Sequence, residues 1–170
     1  AFLANDITMA KVCFVLGGVL IGFFVLNFPF GKIFLGDGGA YFLGFLIGWG
    51  AILILVRNPT VSPWASLLAC AYPIVEVLFS IVRRYRRNAD PGQPDRLHLH
   101  SLVRSRLIRK YAPHWPHTMQ NAMVSPFIWM IAAIAGVLAV TFYQNTAALF
   151  MAFCFYFVLY VLIYMKIITT

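Results

Sequence analysis

The chain has 170 residues, of which 62% are hydrophobic and only 11% are charged. Soluble globular domains carry about 25% charged residues, so this composition excludes a soluble domain and indicates helices packed inside a bilayer. The net charge of +8 does not indicate a nucleic-acid partner, because the basic residues concentrate in one stretch between apolar runs. The three cysteines lie singly inside apolar runs, which indicates neither disulfides nor zinc fingers.

Five apolar segments are predicted to cross the membrane, which gives an all-α, polytopic integral membrane protein. A helix of about 20 residues matches the ~30 Å hydrocarbon core of a bilayer. The last two segments belong to one uncharged stretch, which must break near Tyr143-Gln144-Asn145-Thr146 because it is too long for a single crossing. The predicted spans cover residues 10–30, 38–56, 63–83, 121–142 and 147–166.

The basic residues predict the orientation of these spans. Residues 84–117 form a polar, arginine-rich loop between the third and fourth spans. With five spans, this loop, the loop before the second span and the C-terminus share one face, which holds eleven of the thirteen lysines and arginines. The positive-inside rule places that face, and therefore both loops, in the cytoplasm.

The loop before the second span contains Phe34-Leu35-Gly36-Asp37-Gly38-Gly39, a lone carboxylate among three glycines. Glycine lets another group approach the backbone closely, and a carboxylate can anchor a cation on an anionic substrate. Asp is also a favoured N-cap residue, so a structural cap on the second span is the alternative interpretation of Asp37. The two roles are compatible, since a helix N-terminus also attracts phosphate.

The segment Arg96-Leu97-His98-Leu99-His100 is a second candidate site. Its two histidines face the same way in an extended chain and opposite ways in a helix. Beside Arg96 they could bind phosphate or a nucleotide. Together with His114 and His117 they could instead form a zinc site, although the spacing fits no usual zinc pattern. A third interpretation is a solvated loop whose arginines set the topology and contact anionic lipid.

The third span and the polar loop contain two further features, a lone glutamate and a short predicted helix. Glu76 lies within the third span, seven residues before Arg83, and it is either a functional acid or the partner of the arginine cluster. A short surface helix is predicted over residues 96–111, with Asp95 as its cap. Its apolar face is formed by Leu99, Leu102, Val103 and Leu107.

Taken together, the motifs resemble the polyprenyl-phosphate N-acetylhexosamine-1-phosphate transferases, a glycosyltransferase family 4 group related to the translocase of peptidoglycan synthesis. The resemblance rests on Asn27-Phe28-Pro29, on the Asp37 motif after it, and on Asp95-Arg96-Leu97-His98-Leu99-His100 in the basic loop. It covers the C-terminal part of such an enzyme, and the family's upstream aspartate-rich motif is absent. We therefore expect residues 1–170 to be a single membrane unit, a fragment of a longer transferase that is inactive alone.

The resemblance implies transfer of an N-acetylhexosamine-1-phosphate from a UDP-sugar to a polyprenyl phosphate, with release of UMP. This reaction starts a cell-envelope glycan, such as lipopolysaccharide or a cell-wall polymer, at the cytoplasmic face of the bacterial inner membrane. The implied partners are the UDP-sugar donor, the polyprenyl phosphate acceptor, membrane lipid and a second copy of the chain in a homodimer.

The resemblance also assigns residues. Asp37 corresponds to the Mg²⁺ ligand and is catalytic, and His98 and His100 match the histidine motif and are catalytic residues of the donor site. The substrate-binding residues are Asn27, Phe34 and Arg96. The alternative function is a non-catalytic membrane transporter or assembly subunit whose basic loop binds lipid, and a zinc membrane hydrolase is a further alternative.

Overall fold

The computed structural model describes residues 1–88 and 97–169, which form helices and contain no β-strand. A short 3₁₀ turn at Phe2–Ala4 precedes the first helix. The elements that follow are α1 (Ile7–Asn27), α2 (Gly36–Arg57), α3 (Pro63–Ala69), α4 (Ala71–Arg86), α5 (Leu99–Leu102), a π-helical segment (Val103–Ile108), α6 (Arg109–Tyr111), α7 (His117–Ala122), α8 (Val124–Thr141) and α9 (Thr146–Thr169).

The predicted all-α, multi-pass architecture is confirmed. Within the described residues, α1, α2, α9 and the continuous stretch His117–Thr141 are each long and apolar enough to cross a membrane. The predicted break between the last two spans is confirmed as well, since α8 ends at Thr141 and α9 begins at Thr146.

The third predicted span, 63–83, is a bent pair of helices rather than one straight helix. Helices α3 and α4 meet at an angle of 77°, and together they are long and apolar enough to cross a membrane. The cause is Pro73, which cannot donate a backbone hydrogen bond and whose ring would clash with the carbonyl of Ala69, four residues earlier. Helix α3 accordingly ends at Ala69, and Pro73 lies in the first turn of α4, where proline is tolerated.

The chain divides into two compact units, Ala1–Pro63 and Trp64–Thr170. The first unit contains α1 and α2, and the second contains the remaining helices and the described part of the polar loop. The expectation that the whole chain is a single membrane unit stays a prediction.

The first unit is tied together at one end by Asp6. The Asp6 carboxylate caps α1 by accepting a hydrogen bond from the Met9 N–H, 3.1 Å away. It also accepts two hydrogen bonds from Arg57, at 2.6 and 2.9 Å, and one from the Asn58 side chain at 3.2 Å. This cap explains why α1 begins at Ile7, three residues before the predicted start at residue 10.

The Asp6–Arg57 pair makes α1 and α2 antiparallel, because it joins the start of one helix to the end of the other. The connection between Asn27 and Gly36 therefore lies at the opposite end of this unit, about 30 Å away along helices of this length. The geometry of the first unit thus presents the Asp37 loop at one end.

The second unit is built on α4, α8 and α9, which pack against one another. Aromatic residues fill the α4–α9 contact: Phe79 lies edge-on to Tyr160 and Tyr164, with ring centroids 5.6 and 4.6 Å apart. Both tyrosines are almost completely buried. Leu99 and Val103 of the polar loop are buried as well, so the loop is packed into this unit.

The predicted surface helix over 96–111 is confirmed in part. Residues 99–111 are helical, but Val103–Ile108 form a π-helix between two short α-helical turns. The residue before the first turn is His98, which makes no side-chain cap hydrogen bond. The predicted cap, Asp95, lies outside the described residues. Leu99, Leu102 and Val103 are buried as their shared face predicted.

Replacing Asp6 by Asn should lower the thermal stability of the purified protein, because it removes the anion that both Arg57 hydrogen bonds need. The hydrogen bond from Arg57 holds the pKa of the Asp6 carboxyl well below its usual range, and the hydrogen bond from the Met9 N–H lowers this pKa further. The ionised Asp6 therefore stabilises the folded protein fully when the pH is above the ordinary aspartate pKa. This stabilisation is lost as the pH falls towards and through the lowered pKa of Asp6 in the folded protein.

Thermal unfolding of the detergent-solubilised protein, followed by circular dichroism between pH 2 and pH 7, measures this effect. The difference in Tm between the parent and Asp6→Asn should shrink in acid. Arg57→Lys, which keeps the charge and loses the paired geometry, should give an intermediate Tm at neutral pH. A difference between the parent and Asp6→Asn that is the same at every pH would contradict the assignment.

Candidate functional site

The Asp37 carboxylate lies within the first turn of α2, not at its cap. The helix begins at Gly36, and the N-cap residue is Leu35, which makes no side-chain cap hydrogen bond. The N-cap interpretation of Asp37 is therefore wrong. The reason is Gly36, whose φ of +68° lies in the left-handed region and brings the chain into the helix before Asp37.

The Asp37 side chain is open to an external ligand. It is exposed, and it forms no hydrogen bond or ion pair with any residue of the described ranges 1–88 and 97–169. The two glycines after it differ. A Cβ at Gly39 would lie 2.8 Å from Leu35 Cγ, whereas a Cβ at Gly38 would have no atom within 4 Å. The contact with Leu35 thus explains why residue 39 is a glycine. No such contact explains Gly38, whose missing side chain leaves space beside the Asp37 carboxylate.

Asn27 and Phe34 lie in the same loop region as Asp37. Asn27 is the last residue of α1, and its carbonyl accepts a hydrogen bond from the Gly31 N–H at 2.5 Å. Phe34 is 91% exposed, so its ring presents a free aromatic surface. The structure therefore brings three of the predicted site residues to one end of the first unit.

Residues 1–88 and 97–169 contain no group of three or more His, Cys, Asp or Glu side chains that could hold a metal ion. The four-histidine zinc site thus gains no support from the described part of the chain. Asp37 supplies a single carboxylate, and that donor set suits Mg²⁺, which keeps several waters and is bound through one or two carboxylates plus substrate phosphates.

In the second unit, the buried Glu76 carboxylate holds the histidine segment. His98 Nδ1 lies 3.0 Å from Glu76 Oε1, and the Leu99 N–H donates to the same oxygen at 3.0 Å. The Tyr160 hydroxyl donates to Oε2 at 2.8 Å. Of the two alternatives for Glu76, pairing with the arginine cluster is therefore wrong: within the described residues its ionic partner is His98.

This contact fixes which nitrogen of His98 carries hydrogen. An ionised carboxylate only accepts hydrogen bonds, so Nδ1 is the protonated nitrogen when it faces Glu76. The Ser80 hydroxyl lies 3.4 Å from the same nitrogen. With Nδ1 held on this side, the Nε2 edge of the ring points away from Glu76.

Arg83 holds the backbone just before His98. Its Nη1 donates to the Leu97 carbonyl at 2.7 Å and to the Tyr164 hydroxyl at 2.9 Å. The guanidinium also lies over the Tyr164 ring, 5.4 Å from the centroid. Arg83 and Glu76, on one helix, thus anchor consecutive residues of the histidine segment between α4 and α9.

His100 stacks on His98 with nearly parallel rings, whose centroids are 5.6 Å apart and whose planes differ by 9°. The two rings therefore lie on the same side of the chain, as the extended alternative predicted, and the backbone at His98 is extended. Desolvation lowers the pKa of His100 below the ordinary histidine value, with His98 adding to the effect and Glu76 opposing it.

His100 opens into a cleft of about 930 Å³ within the second unit. Its lining is basic and polar at one end and apolar at the other, and it contains no acidic residue. The lining residues are Tyr72, His100, Ser101, Arg104, Ser105, Arg109, His117, Gln120, Asn121, Val124, Ser125, Ile128 and Trp129.

Sequence reasoning identified His100 in this cleft but missed Arg104, Arg109, Gln120 and Asn121. The available signal was the regular spacing of polar residues from His117 into the fourth span, which lies on one helical face. The other predicted binding residue, Arg96, lies outside the described residues.

Comparison with known proteins bears on both units. Residues 1–55, which include the Asp37 loop, match the model of glycosyl transferase family 4. The family resemblance predicted from the sequence is confirmed. No solved structure matches the chain.

Among curated relatives, the undecaprenyl-phosphate alpha-N-acetylglucosaminyl 1-phosphate transferase of Haemophilus influenzae is 33% identical over 166 residues, covering 92% of this chain and 44% of the relative. The Pasteurella multocida protein of the same name is 31% identical over 165 residues, covering 92% of this chain and 43% of the relative. The Escherichia coli K12 protein is 29% identical over 102 residues, covering 56% of this chain and 28% of the relative. The chain thus spans less than half the length of these family 4 relatives.

Replacing Glu76 by Leu should change the tautomer of His98, because Nδ1–H then loses the oxygen that accepts its hydrogen bond. Long-range ¹H–¹⁵N spectra of the ¹⁵N-histidine protein in detergent report the tautomer, with His98 assigned by its loss in His98→Asn. We expect the Nδ1–H form in the parent and a shift towards Nε2–H in Glu76→Leu.

Tyr160→Phe is the matched control, since it removes the hydrogen bond to Oε2 and leaves Oε1 in place. Both variants should be less stable by about 1–3 kcal/mol, the usual cost of an unsatisfied buried polar group. An unchanged His98 tautomer in Glu76→Leu would show that Glu76 does not orient the ring.

Proposed function

We propose that this chain supplies the C-terminal half of an enzyme that transfers a sugar-1-phosphate from a UDP-sugar to a polyprenyl phosphate, releasing UMP. The observation that carries the proposal is the Haemophilus influenzae match. It extends over 92% of the chain, so it includes both the Asp37 loop and the histidine segment. The name of that relative specifies N-acetylglucosaminyl 1-phosphate and undecaprenyl phosphate, which makes an N-acetylhexosamine the proposed sugar.

Asp37 is the residue proposed to hold Mg²⁺. Its support is an exposed carboxylate without an internal partner, next to the empty space left by Gly38. When bound, the ion would neutralise charge on the donor diphosphate, and phosphoryl transfer depends largely on such neutralisation and on positioning. Asp37 itself stays in the first helical turn, where the helix dipole also favours negative charge.

Asn27 and Phe34 are proposed to contact the nucleoside of the donor. The exposed Phe34 ring offers a face on which a base can stack, and the Asn27 amide offers both a hydrogen-bond donor and an acceptor. Stacking on an aromatic side chain is worth about 1–3 kcal/mol per base in proteins that bind single-stranded nucleic acid. This pairing of ring and amide suits a uridine better than a metal or an apolar ligand.

His98 and His100 are proposed to act at the donor diphosphate, with Arg96 as a further cationic contact. The support is the fixed orientation of His98 by Glu76, which turns Nε2 away from the carboxylate. A preorganised imidazole needs no reorganisation when charge develops on phosphate oxygens, which is the condition for efficient electrostatic stabilisation. The His100 ring stacked on it limits the motion of His98.

We further propose that this chemistry takes place at the cytoplasmic face of a bacterial inner membrane and begins a cell-envelope glycan. The support is the distribution of lysine and arginine, which places both loops on the basic side. An acceptor anchored in lipid has its phosphate at that boundary, where polar loops and apolar helices adjoin.

Asp37→Asn in the complete polypeptide should reduce sugar-phosphate transfer by at least about 100-fold, because charge stabilisation by a bound metal is worth several kcal/mol. Membranes are supplied with radiolabelled UDP-N-acetylglucosamine, polyprenyl phosphate and Mg²⁺, and both UMP release and labelled lipid are measured. Asp6→Asn is the matched control, since it removes a carboxylate from the opposite end of the same unit.

The control variant should keep its activity at a temperature where it is folded, and residues 1–170 alone should show none. Transfer by Asp37→Asn within twofold of the parent would count against the enzyme and favour the non-catalytic transporter or assembly subunit.

A further inference from the structure

The cleft beside His100 holds cationic side chains that have no partner among residues 1–88 and 97–169. Arg104 and Arg109 line it, and neither forms a hydrogen bond or ion pair with any residue in the described part of the chain. His100 and His117 add imidazoles, and the lining contains no acid. A concave surface with two unpaired guanidinium groups is suited to a phosphate, which arginine binds through paired hydrogen bonds.

The π-helical segment brings these two arginines together. In an α-helix, residues five apart point about 140° away from each other. A π-helix closes its hydrogen bonds between residues five apart, so such residues lie nearly above one another. The π-helix spans Val103–Ile108, and Arg104 and Arg109 both line the cleft. Because Arg106 is not among the lining residues, it serves below as a control.

The wall opposite the arginines changes from polar to apolar along one helical face. The cleft-lining residues of His117–Thr141 recur at intervals of three and four, the spacing of a single face. His117, Gln120 and Asn121 come first; Val124, Ile128 and Trp129 follow, with Ser125 among them. From His117 to Trp129 this face extends about 18 Å, and it belongs to a helix apolar enough to cross the membrane.

A ligand that matches this cleft has an anionic head and an apolar body. A UDP-sugar could stack its base on Trp129, but it has no aliphatic part to match Ile128 and Val124 on a helix that is apolar enough to cross the membrane. An isoprenoid phosphate matches both ends, since its single phosphate can reach the arginines while its chain follows the apolar face into the lipid.

We propose that the cleft bounded by the π-helical segment and the His117–Thr141 helix binds the phosphate of the polyprenyl phosphate acceptor, with Arg104 and Arg109 on the phosphate and Ile128 and Trp129 along the first isoprene units. This inference rests on the proposed function for the identity of the lipid, and it assigns that function's acceptor site to residues separate from Asp37, Asn27 and Phe34.

The test is direct binding, which does not depend on turnover. The complete protein in nanodiscs is titrated with a short-chain polyprenyl phosphate, with inorganic phosphate and with UDP-N-acetylglucosamine, and binding is followed by Trp fluorescence and thermal shift. Arg104→Gln with Arg109→Gln should weaken polyprenyl phosphate binding at least about tenfold, since each charge-assisted contact contributes roughly a factor of ten. Arg106→Gln should bind the lipid like the parent.

A second variant tests the apolar end. Ile128→Ser should weaken binding of the polyprenyl phosphate and leave inorganic phosphate unchanged. In the transfer assay, the double arginine variant should raise the KM for the lipid at least about tenfold and change the KM for the UDP-sugar less than twofold.

The outcomes separate the two proposals. Arginine-dependent lipid binding without transfer activity would support the cleft assignment and count against the proposed reaction. Transfer activity with a raised KM for the UDP-sugar alone would overturn the cleft assignment and leave the reaction standing. Lipid binding that is equal in the double variant, in Arg106→Gln and in the parent would also overturn the assignment.

Discussion

The second unit depends on one buried carboxylate. Glu76 accepts hydrogen bonds from a side chain of the polar loop, from the loop backbone and from α9. Burying a charge costs several kcal/mol unless it is paired and hydrogen-bonded. The contacts with His98, Leu99 and Tyr160 meet that condition. The loop can therefore leave the membrane boundary only by exposing an unsatisfied acid, and its histidines are held where the helices place them.

The same carboxylate accounts for the shape of the cleft. It fixes the start of α5 at Leu99, and the buried face of Leu99, Leu102 and Val103 then holds the following residues against α8 and α9. The π-helix keeps that face buried while Arg104 and Arg109 turn towards the cleft. Buried residues and cleft-lining residues thus alternate within one short segment, and the packing of the buried residues sets the direction in which the cleft-lining residues point.

The spans and the break near residue 143 follow from the sequence, because lipid permits little besides apolar helices of a set length. The site at Asp37 follows from the motif around it and stays a prediction. Contacts between distant residues do not follow from it. The pairing of Asp6 with Arg57 and of Glu76 with His98 joins residues 51 and 22 positions apart, and no local pattern encodes them. The π-helix likewise depends on tertiary packing, since the α-helical pattern of 96–111 gives no reason for a wider turn.

The proposed function requires that the Asp37 loop and the histidine segment both face the cytoplasm. Cysteines introduced at Phe34 and at His114, singly and in a variant without Cys13, Cys70 and Cys154, can be tested in intact cells with a membrane-impermeant maleimide. The account predicts that neither position is labelled until the inner membrane is permeabilised, and that both are labelled afterwards. Labelling of one position from outside, with the other protected, would place the two segments on opposite sides of the membrane and contradict the account.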